Sequence, residues 1–180
     1  MENTTKKFAK HPCIARFADD GRTQSLKEHA EGVAKLAHDF ASIFGLGKNA
    51  KILGLNHDHG KNTSEFQEYL HEQMGTQEAK RKNIRHSIHG ARLTYDNRYA
   101  NLFIAEMLSN CIASHHGSLR DFISPNGKTP LLTELGEILD NVPDSQGVDL
   151  DDNVLLAEIK AVIAKTPDKA FAMSMLTKLL

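Results

Sequence analysis

Between Ser25 and Phe44 the apolar residues Leu26, Ala30, Val33, Ala37, Phe40 and Phe44 recur at spacings of three and four. That period puts them on one side of an α-helix and requires a second element to cover them. Ser25 and Glu28 form a capping box at its start, and Gly45 and Gly47 supply its stop. The period returns from Ala50 to about His57, through Ile52, Leu53 and Leu55. It returns again from Ser64 to about Met74, with Phe66, Tyr69 and Leu70 inward and Gln67 at the capping-box position. Further helices are predicted over Arg85 to Tyr95, Asn101 to Ser114, Leu131 to Leu139, Asn153 to Ala164 and Lys169 to Leu180, with Pro167 suited to the start of the last. Gly75 to Asn83, Ser118 to Gly127 and Val142 to Asp152 read as polar loops. With no β alternation and no internal repeat, the pattern predicts an all-α fold.

A chain of 180 residues fits one core better than two. The expected division is an N-terminal extension over 1–24 and a single domain over 25–180. A formal net charge of -1 excludes a global positive field for nonspecific nucleic-acid binding, so any such contact must be local. Cys13 and Cys111 are too isolated for a disulfide framework or a zinc finger, and a reducing cytoplasm is the natural setting. No run resembles a signal peptide or a membrane span, so neither export nor a membrane partner is expected.

The ten histidines carry the chemistry. His57-Asp58 stands at a helix end before Gly60, where an imidazole and a carboxylate can bind one metal while the carboxylate bridges to a second. Such a pair alone is weak, and His38-Asp39 is a second copy without the following glycine and lysine. His29 falls on the apolar stripe between Leu26 and Val33. His115 continues the stripe of Ile104, Leu108, Cys111 and Ile112, and the exit at Gly117 can turn His116 back beside it. His86 and His89 are three apart on one helix, and spacing alone permits either. Each has an ordinary reading, as a satisfied core histidine or a surface residue. Together they would place imidazoles from several helices toward one interior without a shared partner, at a burial cost that a common metal removes. The donor set suits Mn, Ni, Co, Fe or Zn rather than Ca. Two such ions about 3.5 to 4 Å apart hydrolyse phosphodiesters, and Lys61 could neutralise phosphate charge.

The succession Gly54-Leu55-Asn56-His57-Asp58-His59-Gly60-Lys61, Phe66-Gln67-Glu68-Tyr69-Leu70, His86-Ser87-Ile88-His89-Gly90-Ala91 and Ser114-His115-His116-Gly117, preceded by His29, resembles the CRISPR-associated HD nuclease domain. This is the nuclease half of the type I interference helicase-nuclease, within the HD phosphohydrolase superfamily. The resemblance runs from Ser25 onward. It implies an HD-domain helical bundle with a metal site between the central helices. It further implies that His29 and His57 bind a first metal, Asp58 bridges, and His86, His115 and His116 bind a second. Asp58 and Lys61 would be catalytic, with Lys61 beside the scissile phosphate. Ser87 would support the ligand next to it, Gly90 and Ala91 would serve helix packing, and His59 and His89 would not be ligands.

The implied activity is metal-dependent endonucleolytic cleavage of single-stranded DNA in defence against invading DNA. The implied partners are a helicase domain, fused or separate, and an RNA-guided CRISPR surveillance complex. Lys80, Arg81, Lys82 and Arg85 could steer a DNA strand toward His86, or be an ordinary solvated loop. The family pattern ends with a further aspartate ligand of the first metal after a late helix. Asp140, Asp144, Asp149, Asp151, Asp152 and Asp168 fall too early to match it, so that ligand is expected beyond Leu180 and the first metal site is expected to be weak. Two other readings are open: a phosphohydrolase of nucleotides or cyclic dinucleotides, against which the absence of Gly-Tyr-Pro after His116 speaks, and a helical interaction module without metal.

Overall fold

In the computed structural model, residues 13–75, 84–97, 102–137 and 152–168 are described. Among them the chain forms seven α-helices: α1 Leu26–Ser42, α2 Gly47–Asn56, α3 Ser64–Gly75, α4 His86–Asn97, α5 Leu102–Ser114, α6 Pro130–Gly136 and α7 Asp152–Lys165. A 3-10 turn, His59–Asn62, lies between α2 and α3. The protein is a helical bundle, as the apolar period predicts. The expected helix over Lys169 to Leu180 and the loops over 76–83 and 142–151 lie outside the described residues. No helix among the described residues is long and apolar enough to cross a membrane.

The start of α1 is the expected capping box: the Glu28 amide donates to Ser25 Oγ, and Glu28 Oε2 accepts from the Ser25 amide. Its end is a Schellman closure, with Leu46 N–H on Ala41 O, Gly45 N–H on Ser42 O, and Gly45 at φ 80°. Gly47 does not belong to that stop. It opens α2, in a space where a Cβ would lie 2.2 Å from Ser42 Oγ.

The apolar stripe of α1 is only half-buried over Leu26, Ala30, Val33 and Ala37, and the fully buried face is rotated to one side of it. Phe40 is 69% and Phe44 55% exposed, whereas Ala34 and Ala41 are buried. The cause is the crossing of α2, whose Gly54 sits so close that a Cβ there would be 2.5 Å from Ala34 Cα. At such a seam only small residues fit, and the large ones are displaced to its flanks.

Two more glycines act by close approach. A Cβ on Gly60 would meet the His86 carbonyl oxygen at 2.1 Å, and one on Gly90 would meet the Asn56 carbonyl oxygen at 2.0 Å. Gly60 thus serves contact with α4 rather than turn conformation. Beside Gly90, Asn56 Nδ2 donates to Thr94 Oγ1, which donates to Gly90 O, so the α2–α4 contact is closed by a buried polar chain. Ile52, Ile88, Met107, Leu108, Ile112, Leu135 and Leu155 fill the core behind these contacts.

The segment expected as a plain extension contains two strands, β1 Ile14–Phe17 and β2 Thr23–Ser25, paired antiparallel with an irregular register. They are too short to show alternation. A tertiary clamp fixes them: Gln67 Oε1 accepts from Ile14 N–H at 2.9 Å, while Gln67 Nε2 donates to Ile14 O at 2.9 Å and Lys61 O at 2.7 Å. Gln67 is therefore no capping residue but the buried link between β1 and α3.

The glycine contacts predict opposite outcomes for one substitution type. Gly90→Ala should lower unfolding stability by about 1–3 kcal/mol, because α4 must move off α2. Gly32→Ala, which meets nothing within 4 Å in the middle of α1, should raise stability by roughly 0.5–1 kcal/mol. Urea unfolding checks both, and equal signs would contradict the packing account.

Candidate metal centre

Asp58 follows the end of α2 and is 3% exposed. Its two carboxylate oxygens face different partners. On one side, Oδ2 lies 3.0 Å from His29 Nε2, 3.2 Å from His57 Nε2 and 2.7 Å from Lys61 Nζ. On the other, Oδ1 lies 3.2 Å from His86 Nε2 and 3.6 Å from His115 Nε2. His116 closes the second side, its Nε2 being 2.9 Å from that of His86.

Short-range structure aims each ring. His29 is carried by the first turn of α1, and His57 caps α2 with its Nδ1 donating to Gly54 O at 2.8 Å. His86 opens α4, where Gly60 lets the preceding turn press against its backbone. Because α5 stops at Ser114, His115 and His116 lie in the turn that follows, and His115 Nδ1 donates to Ile112 O at 2.7 Å.

These last bonds fix the tautomers. A carbonyl only accepts, so Nδ1 of His57 and of His115 carries the proton and Nε2 of the neutral ring presents a lone pair. Those lone pairs point toward a carboxylate, acceptor against acceptor, and Asp58 Oδ1 is buried with no hydrogen-bond partner among the described residues. The arrangement is unfavourable without a cation between the groups.

Protonating the whole cluster does not resolve it, since the rings of His115 and His116 are 4.0 Å apart and those of His29 and His57 are 5.2 Å apart. Burial, countered in part by Asp58, holds His29 below the ordinary histidine pKa. Burial and the neighbouring His115 and His86 do the same for His116. Burial opposes ionisation of Asp58, but any proton that His115, His57 or His86 carries toward it is donated to the carboxylate and more than offsets that cost, holding its carboxyl well below the usual range. An ionised carboxylate among neutral imidazoles is a donor set for a first-row transition metal.

Two groups result, each with ligand atoms within 4.8 Å of one another: His29, His57 and Asp58, and Asp58, His86, His115 and His116. Asp58 is common to both. Each group could hold a metal ion, with one ligand more in the second than in the first among the described residues.

The remaining candidates divide. Lys61 is inside the cluster, bound to Asp58 and donating to Ala15 O at 3.4 Å. Ser87 is half-buried on the first turn of α4, next to His86 but in neither group. His89 is also in neither group, and burial lowers its pKa. Arg85 faces α6, where its guanidinium is paired with Glu134 and lies 3.8 Å from Glu137. Its expected role on a DNA strand competes with that pairing. Lys80, Arg81 and Lys82 lie outside the described residues.

Residues that hold the site carry no local signature. Arg120 forks onto Glu134 at 3.0 and 2.9 Å, donates to Ser114 Oγ at 3.1 Å, and exchanges bonds with Asn110, anchoring the chain just after His116. Glu158 of α7 accepts from the Lys48 and Asn49 amides at 3.1 and 3.2 Å, capping α2 at the end opposite His57. Their partners are remote in sequence, and no spacing rule links them.

A model of the HD domain family matches residues 26–142. A search of curated proteins found no match.

Metal binding to this cluster should appear as stability. Mn2+ or Ni2+ at roughly a hundredfold excess over Kd should add about 2.7 kcal/mol to the unfolding free energy, and Asp58→Asn should abolish the gain. Thermal unfolding with and without metal checks this, and an equal gain in the variant would place the ion elsewhere.

Proposed function

The chain belongs to the HD domain family, and on that premise we propose that it is a nuclease domain that cuts single-stranded DNA in CRISPR interference. HD domains bind divalent metals and are generally phosphohydrolases, and the His/Asp cluster between the helices fits that chemistry. One observation carries the phosphodiesterase part: the carboxylate of Asp58 is split between two histidine groups, as a bridging ligand is. In this reading His29, His57 and Asp58 hold one metal, and Asp58, His86, His115 and His116 hold the other.

Bound divalent ions in such a site supply Lewis acidity and lower the pKa of a water. The protein's own groups do the rest. The Nδ1–H groups of His57 and His115 donate to backbone carbonyls, which leaves both Nε2 atoms to bind. Lys61 neutralises Asp58 and offers its ammonium to an arriving phosphate oxygen. The seam of small residues and the buried Asn56–Thr94 bond keep the ligand-bearing helix ends in register.

The narrower choice of DNA nuclease rests on the succession from His57-Asp58 with Gly60-Lys61, through Phe66 to Leu70 and His86 to Ala91, to His115-His116-Gly117. A near-neutral chain suits a nuclease that receives its strand from other machinery. A helicase, fused or separate, and an RNA-guided surveillance complex acting in the cytoplasm are the partners of this reading. With Mn2+, Ni2+ or Co2+ present, the protein should linearise and then degrade circular single-stranded DNA. Asp58→Ala should reduce the rate by roughly a hundredfold or more. Hydrolysis confined to mononucleotides or cyclic dinucleotides would overturn the nuclease assignment, and no hydrolysis of any phosphodiester would leave an interaction module.

A further inference from the structure

A cavity of about 560 Å³ opens beside the His86–His116 side of the cluster. Ala15, Arg16 and Phe17 of β1 form one wall, Phe66, Tyr69 and Leu70 of α3 form another, and Ile84, Lys61, His86 and His116 complete it. Its size is that of a small-molecule pocket. The β1 wall lies outside the family-matched residues 26–142.

We propose that this cavity is a base subsite: it receives the unpaired nucleobase of a nucleotide whose phosphate lies at His86 and His116. The inference rests on the phosphodiesterase reading above and adds what is recognised beside the phosphate. Three aromatic rings line a single space, which suits a flat π-system, and the sequence-tolerant attraction of bases for such rings is well established. The cations are placed for the other half of a nucleotide, Arg16 exposed on the wall and Lys61 beside the ligand cluster. Phe66 joins the two halves. Its ring stands edge-on to His86 with centroids 5.1 Å apart, and Lys61 Nζ is 5.8 Å from its centroid.

The wall is also built to stay in place. Gln67 holds Ile14 through both its amide N–H and its carbonyl, Cys13 Sγ bonds Asn62 Oδ1 at 2.9 Å, and Lys61 reaches Ala15 O. A hairpin of four and three residues has no core of its own to justify such anchoring. A base paired in a duplex is stacked and cannot enter, so the subsite selects single strands or free nucleotides.

Binding to the full chain, by titration calorimetry with Mn2+ and again with EDTA, tests the inference without relying on turnover. The probes are dTMP against deoxyribose 5-phosphate, and an oligothymidylate against an abasic strand of equal length. The base-bearing member should bind roughly ten- to a hundredfold more tightly in at least one pair. The pair with the larger ratio identifies a free nucleotide or a strand as the source. Tyr69→Ala and Phe17→Leu, each verified as folded by circular dichroism, should both reduce the ratio toward one. Equal binding of base-bearing and base-free probes in both pairs, or a ratio untouched by both variants, overturns the subsite. Failure of the nuclease reading shows separately, as base-dependent binding without cleavage of circular DNA.

Discussion

A carboxylate sealed from water among imidazoles is the constraint on which the rest of this structure depends. An ionised group at the depth of Asp58 is costly unless positive charge reaches it, and among the described residues Lys61 supplies a fixed one, to Oδ2. Oδ1 is left facing ring nitrogens whose protons, in His115 at least, are committed elsewhere. A folded chain that maintains this arrangement is preorganised for cations. The strain of holding acceptors against acceptors is the counterpart of the affinity that relieves it.

The helical framework is arranged around that requirement. To bring His29, His57, His86 and His115 around one carboxylate, α1, α2, α4 and the turn after α2 must approach more closely than ordinary side chains permit. Gly54 and Gly60, with Ala34 at the seam, make that approach possible, and Gly90 repeats the device between α2 and α4. Polar links then fix the distance that the glycines allow. Asn56 and Thr94 lie between two ligand-bearing helices, and Glu158 holds α2 from behind. Arg120 with Glu134 secures the exit of α5, and Arg85 is drawn into the same network from the start of α4. The charge of Arg85, for which the sequence left open a DNA strand or plain solvent, faces Glu134 and Glu137 at the start of the helix that carries His86.

Beyond the cluster, the hairpin and α3 give the site a second character. The histidine groups face the phosphate chemistry, and the aromatic space under β1 lies beside them. The β1 wall of that space is fastened by Gln67 to α3, which supplies the other wall.

What the sequence determined by itself is whatever depends on neighbours a few residues away. The periods of three and four gave the helices over α1 to α5 and α7 nearly to their ends, and the Ser25–Glu28 box gave the start of α1. Both are local patterns, set by backbone geometry and the burial of one face, whereas the set of histidines that meet was implied by a family resemblance, spacing alone leaving His86 and His89 open. Tertiary structure decided which large side chains of α1 are left in solvent, because the crossing of Gly54 on Ala34 overrides the stripe that includes Phe40 and Phe44. It also decided that Thr23 to Ser25 pairs with Ile14 to Phe17, and that Gln67 clamps a strand rather than capping a helix. Glu158 serves α2 and Arg85 serves Glu134 for the same reason. The hairpin itself joins near neighbours, but its anchor on Gln67 and each of the other outcomes rest on a polar or steric partner tens of residues away, and chain crossing, not spacing, selects that partner.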